Sequence, residues 1–205
     1  MIVLGIVVAV LILWSIWGLF SSRVEQAEYC VVSRSRDYEI REYAPHIEAQ
    51  TTVRGTTGEA LSNGFRIIAG YIFGGNATRQ RISMTAPVRA SSERIAMTAP
   101  VTATGDGGSS VIAFVMPRAY TMETLPAPTD ARVHLVQIPA RTFAALRFGG
   151  WRTDVRVRRM EKRLLASLAH DRIRAVGAPV YAGYNAPWTP PWMTRNEVLV
   201  EVEKS

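Results

Sequence analysis

Apolar positions are arranged along this chain in two distinct ways, and the change falls near residue 20. Residues 2–20 (IVLGIVVAVLILWSIWGLF) are apolar without any period, and Ser15 is the only polar side chain among them. At about 1.5 Å per residue a helix of this length reaches roughly 28 Å, close to the hydrocarbon thickness of a bilayer. Trp14, Trp17 and Phe20 gather toward one end, where an aromatic belt lies. A cleaved signal peptide is the rival reading. No Lys or Arg precedes the run and no A-x-A site follows it, so an uncleaved transmembrane anchor is expected over 2–20, with a linker over 21–27. Arg23, Arg34, Arg36 and Arg41 follow the run, which places the rest of a single-pass membrane protein on the cytoplasmic side.

Beyond the linker the pattern becomes periodic. Leu61, Phe65, Ile68 and Ile72 recur at helical spacing, and so do Val157, Met160, Leu164 and Leu168. Thr56 with Glu59 fits a capping box, Thr153 an N-cap, and Gly74-Gly75-Asn76 a helix stop. Each stripe predicts a helix packed on a sheet. Residues 111–116, 180–184 and 197–202 read as strands.

Two internal repeats organise these elements. Arg81-Ile-Ser-Met-Thr-Ala-Pro-Val88 recurs as Arg94-Ile-Ala-Met-Thr-Ala-Pro-Val101, which predicts a hairpin turning at Ser91, Ser92 and Glu93. Residues 38–55 are matched more faintly by 133–150, and each copy precedes a helix. In both, apolar parity shifts at a proline, Pro45 or Pro139, which predicts a bulge or bend there. The expected fold is α+β, with two strand–helix–strand halves about a pseudo-twofold axis and a hairpin between them.

Composition narrows the chemistry. A single cysteine excludes an intrachain disulfide and any multi-cysteine metal site. Net charge is +7, and Lys162 and Lys204 are the only lysines among the 24 basic residues. No nucleic-acid-binding signature accompanies that charge, so anionic lipid is the better electrostatic partner and no nucleic acid is expected. No nucleophile elbow, phosphate loop or metalloprotease motif appears, and the chain is not expected to be an enzyme.

Several landmarks occur in a familiar order: Tyr38-Glu-Ile-Arg-Glu-Tyr-Ala-Pro45, the two MTAPV segments, Phe148-Gly-Gly-Trp151, Ala182-Gly-Tyr-Asn185 and Arg195-Asn-Glu-Val198. Together they resemble the SOUL heme-binding protein family over residues 28–203. The resemblance implies a distorted antiparallel β-barrel flanked by two helices, built from two pseudo-twofold-related halves and related to bacterial effector-binding domains. With the N-terminal run it gives one transmembrane helix followed by a SOUL-like domain. It implies noncovalent binding of heme or another tetrapyrrole, as buffer or carrier. The alternative is an effector-binding or scaffolding module for another hydrophobic ligand or a partner protein. Glu42 stands where some animal members have a histidine, and Ser62, Phe65, Ala69 and Gly70 stand where others line a pocket with Arg, Met and Lys.

A heme site needs an apolar slot, cations for the propionates and usually an axial ligand. Phe65, Ile68, Ala69 and Ile72 are the candidate wall, although they equally suit a core stripe. Arg66 and Arg141 are the candidate propionate partners, since guanidinium pairs bidentately with carboxylate. His46 is the candidate axial ligand to the heme iron by family position.

Overall fold

A computed structural model describes Trp14 and residues 25–55, 57–92, 109–185 and 189–203. Apart from Trp14, the apolar run 2–20 lies outside the described residues, and so does the second MTAPV copy. Among the described residues no helix is long and apolar enough to cross a membrane.

The fold is mixed α+β: a curled antiparallel sheet with two helices. The chain runs β1 (Glu25–Gln26), β2 (Tyr29–Arg34), β3 (Glu39–Tyr43), β4 (His46–Arg54), α1 (Thr57–Ile72), β5 (Thr85–Ala86), β6 (Val88–Ser92) and β7 (Ser109–Val115). It continues with β8 (His134–Ile138), β9 (Arg141–Phe148), α2 (Asp154–His170), β10 (Val180–Gly183) and β11 (Asn196–Glu201). Nine strands form one sheet in the order β2-β3-β9-β11-β10-β6-β7-β4-β8, and β1 pairs in parallel with β5. Glu25 and Gln26, within the expected linker, pair with Thr85 and Ala86.

The strand order is symmetric about the β10–β6 pair once the extra edge strand β2 is set aside. β3 begins at 39 and β8 at 134, β4 at 46 and β9 at 141, an offset of 95 in both cases. The first strand of each half pairs with the second strand of the other, β3 with β9 and β8 with β4. Where a bulge or bend is expected, the structure has a change of pairing partners. Between Tyr43 and His46, and between Ile138 and Arg141, the chain leaves one set of partners for another, and each proline falls in that break, where its missing N–H costs no ladder bond.

The expected hairpin of the two MTAPV copies is also corrected. β6 runs through Ser91 and Ser92 instead of turning there, and its two edges are taken by β10 and β7.

Both helices lie on one face of the sheet, where α1 covers β4 and β7, and α2 covers β9 and β11. Ile68 and Ile72 of α1, and Val157, Leu164 and Leu168 of α2, are buried in the core on that face. Gly64 lets α1 approach closely, since a Cβ there would sit 2.4 Å from Ile112 Cγ1. Gly74, at φ +113°, ends α1 in a Schellman arrangement: its N–H donates to Tyr71 O and Gly75 N–H donates to Gly70 O at 2.8 Å. Thr153 caps α2 by accepting from Arg156 N–H.

Candidate functional site

The sheet face away from the helices carries alternate residues of every strand, and it is unusually charged for a buried surface. Its centre in the second half is Glu197 of β11, which is fully buried. Arg41 of β3 reaches it past Ala145 of β9 and donates two bonds, Nη1 to Oε2 at 2.7 Å and Nη2 to Oε1 at 3.2 Å. Arg195 Nε donates to Oε1 at 2.9 Å and Tyr184 OH to Oε2 at 2.7 Å. The Arg195 guanidinium stacks 3.9 Å from the centre of the Tyr184 ring, and that of Arg41 lies 4.5 Å from the centre of the Tyr29 ring. Burial opposes the charge on Glu197 more than any other single effect. The hydrogen bonds and charges of Arg41, with Arg195 and Tyr184, together outweigh it and hold the carboxyl below its ordinary range.

A second carboxylate sits in the other half. Glu48 of β4 is buried and accepts from Arg89 Nη1 of β6 at 3.1 Å and from Gln50 Nε2 at 2.9 Å, with His46 Nε2 at 3.3 Å. Burial again opposes its charge most, and His46, Arg89 and Gln50 together hold it below its ordinary range. The Arg89 guanidinium lies 5.3 Å from the Tyr43 ring centre and 5.5 Å from that of Phe143. Its Nε and Nη2, and the Tyr43 hydroxyl, are buried without a hydrogen-bond partner among the described residues.

Beside the Glu197 cluster, at the β2 edge, the surface opens into a cleft of about 350 Å³. Tyr29, Arg34, Arg36, Arg41, Arg147 and Arg195 line it. Arg34 pairs with Glu39 at 3.1 Å, while Arg41 and Arg195 are held by Glu197. Arg36 and Arg147 form no ion pair within 4 Å among the described residues. Asp37 and Glu39 line the cleft as well, Asp37 pairing with Arg163 and feeling the charge of Arg36, and the excess of guanidinium groups suits a ligand bearing carboxylates or phosphates.

The candidate residues from the sequence fall on two sides of the sheet. Ile68 and Ile72 are fully buried and Ala69 is buried, all under α1 on the helix-covered face. Phe65 is half-buried, its ring 5.4 Å from that of Phe114. Arg66 is exposed to solvent. His46 and Arg141 lie on the opposite face. His46 faces oxygen acceptors with both ring nitrogens, Ala44 O at 2.8 Å from Nδ1 and Glu48 from Nε2. Arg141 pairs with Glu201 at 3.2 Å. The structure thus gathers the four α1 side chains with one another, but neither with His46 nor with Arg141, and none of the seven lines the arginine cleft.

Sequence reasoning passed over Arg41, Glu48, Arg89, Tyr184, Arg195 and Glu197. The available signal was charge at the wrong parity. Glu197 precedes the apolar run Val198–Val200, and such a charge survives burial only with a partner of opposite sign, whereas Arg41 lies in the charged strand Glu39–Tyr43 and carried no such mark.

No curated protein matches the chain. Its fold is similar to that of the EcmrR C-terminal domain, with a TM-score of 0.58, 12% identity, and coverage of 82% of this chain and 99% of that one. It is similar to an uncharacterized conserved protein from Listeria innocua, with a TM-score of 0.56, 12% identity, and coverage of 83% and 94%. A protein described as a hydrolase from Listeria innocua aligns with a TM-score of 0.53, 11% identity, and coverage of 84% and 94%. At these identities the likeness shows shared fold alone. The sequence itself matches the family model described as SOUL heme-binding protein over residues 24–201, nearly all of the described chain. With the family model matched over most of its length, the chain belongs to the SOUL heme-binding protein family.

Proposed function

We propose that this protein binds heme or a related tetrapyrrole noncovalently, as buffer or carrier, and performs no chemistry on it. Family membership supports the ligand class, and the arginine-lined cleft is the observation that carries the reading to a place. The propionates would be held by Arg36 and Arg147, the cleft guanidiniums without a carboxylate partner. Among side chains able to ligate iron, Tyr29 lines the cleft and could offer its phenolic oxygen. The α1 stripe is spent on the core, and His46 serves Glu48 and Ala44, so neither would enclose the ligand in this arrangement.

The test is a titration of the full chain with hemin and with iron-free protoporphyrin, followed by absorbance. Both should bind saturably, and the double variant Arg36→Gln/Arg147→Gln should weaken both. Tyr29→Phe should change the spectrum of bound hemin and leave porphyrin binding intact, and His46→Ala should do neither. Failure of the wild-type chain to bind either molecule would overturn the reading.

A second reading, an effector-binding or scaffolding module for another hydrophobic ligand or a partner protein, is favoured by the open flank of α1. There Arg66 and Phe73, which is 57% exposed, lie two turns apart. Loss of ligand with Arg66→Gln or Phe73→Ser, but not with the cleft variants, would select it. The run 2–20 supports a single-pass anchor, which retention of the full chain in carbonate-washed membranes would test, and Arg23, Arg34, Arg36 and Arg41 after it support a cytoplasmic domain.

A further inference from the structure

One end of the domain displays large apolar side chains that the fold leaves uncovered. Trp151 is 63% exposed, Val155 63% and Trp192 58%. Isolated exposed hydrophobics are ordinary, but these three come from segments the fold ties together. Gly150 N–H donates to Pro191 O at 3.1 Å and to Thr194 Oγ1 at 3.0 Å, and Thr194 Oγ1 in turn donates to Gly150 O at 3.0 Å. Asn196 Nδ2 adds a bond to the same carbonyl at 3.1 Å. The turn Pro191–Met193 is thereby pinned to Gly150, just ahead of α2, so both tryptophans are held on a tied base and little ordering cost remains when something covers them.

Two observations identify what covers them. Trp14 packs its ring edge-on against Trp192, with centroids 5.4 Å apart, and Trp14 belongs to the apolar run that ends six positions later at Phe20. The exposed patch therefore meets a residue of the most apolar segment of the chain. The patch also leads into positive charge: Val155, Arg158, Arg159 and Lys162 recur at helical spacing along an exposed face of α2, and the Arg156 guanidinium lies over Gly150. Tryptophan beside arginine and lysine is the chemistry of a bilayer interface, where the indole sits at headgroup depth and the cations meet lipid phosphates.

We infer that the end of the domain formed by Trp151, Trp192 and the Val155 face of α2 rests on a bilayer of anionic phospholipid. The domain is then held against the membrane in one orientation rather than swinging free. This inference is independent of the tetrapyrrole reading, since none of these residues lines the arginine cleft.

The experiment uses full-length protein labelled with 5-fluorotryptophan in nanodiscs of phosphatidylcholine with phosphatidylglycerol. The Trp151 and Trp192 fluorine signals are assigned with Trp151→Phe and Trp192→Phe. Both signals should be broadened away by a nitroxide-bearing lipid and spared by a water-soluble paramagnetic chelate. The triple variant Arg158→Gln/Arg159→Gln/Lys162→Gln should restore part of their intensity, and so should omission of phosphatidylglycerol. Broadening by the aqueous chelate and not by the lipid nitroxide would overturn the inference. Protection from both agents would overturn it as well, and would mean that a second copy or another protein surface covers the patch. Hemin titration of the same variants should be unchanged, which separates this outcome from any failure of the proposed function.

Discussion

The two buried carboxylates on the far face of the sheet occupy opposite halves of a pseudo-symmetric scaffold, yet they are unequally provided for. Glu197 receives two bonds from Arg41 and one each from Arg195 and Tyr184, and both cations also stack on tyrosine rings. Around Glu48, Arg89 gives one nitrogen to the carboxylate, and its Nε and Nη2, like the Tyr43 hydroxyl, have no hydrogen-bond partner among the described residues. Repetition of the backbone thus preserved strand order without preserving the site. A buried ion pair is costly to assemble and far more costly to break, so the complete cluster is where the fold is least tolerant.

The largest effect should come from breaking the complete cluster. Glu197→Ala leaves the nearly buried Arg41 without its main counter-ion and should cost about 3–5 kcal/mol in chemical denaturation. Arg41→Met/Glu197→Leu, which removes both charges, should recover much of that loss. Glu48→Ala should cost less, about 1–3 kcal/mol, because Glu48 accepts one guanidinium bond where Glu197 accepts three. Equal losses at the two carboxylates would erase the distinction.

The two tyrosines sharpen the contrast. Tyr184→Phe removes a donor to a charged acceptor and should cost about 1.5–3 kcal/mol, whereas Tyr43→Phe removes a hydroxyl with no partner and should be nearly neutral or stabilising. A comparable loss from both would mean that a water satisfies Tyr43.

Acid should reveal the same carboxylates. Both are held below the ordinary value of 4.5 when folded, so as pH falls the unfolded chain takes up protons first. Their contribution is fully present above about 4.5 and is lost as pH falls through the lowered folded values. Stability followed below pH 4.5 should therefore decline more steeply in the wild type than in Glu197→Gln. The smallest effect on folding belongs to Arg147→Gln, within about 0.5 kcal/mol because the side chain is exposed and unpaired, while hemin affinity should fall.

Much of the architecture was legible along the chain. The stripes of α1 and α2, the glycine stop after Ile72, the Thr153 cap and the 95-residue offset are local signals. They depend on neighbours within a few residues or on simple recurrence, and the helices and paired strands stand where those signals put them. The break at Pro45 was legible as a parity shift. Its nature was not, because a bulge and a change of pairing partner leave the same mark in sequence.

The site was legible only in part. Phe65, Ile68, Ala69 and Ile72 could be read as core or as pocket wall, and helical periodicity does not say which, since both require one apolar face. The sheet beneath α1 decided it for Ile68, Ala69 and Ile72, with Gly64 drawing the helix onto Ile112. His46 was visible as a candidate, but its engagement by Ala44 and Glu48 depends on how β4 lies against its neighbours.

By itself, then, the sequence determined the family, the alternation of elements and the existence of two matched halves, because periodicity and spacing act over short distances or repeat exactly. Only the tertiary structure decided that Arg41 of β3 meets Glu197 of β11 past Ala145, that Arg89 of β6 meets Glu48 of β4, and that Trp151 and Trp192 share one end. These meetings join residues separated by up to 156 positions and depend on strand order and register. A one-residue slip would turn every such side chain to the other face, and no local pattern records which register the packed sheet adopts.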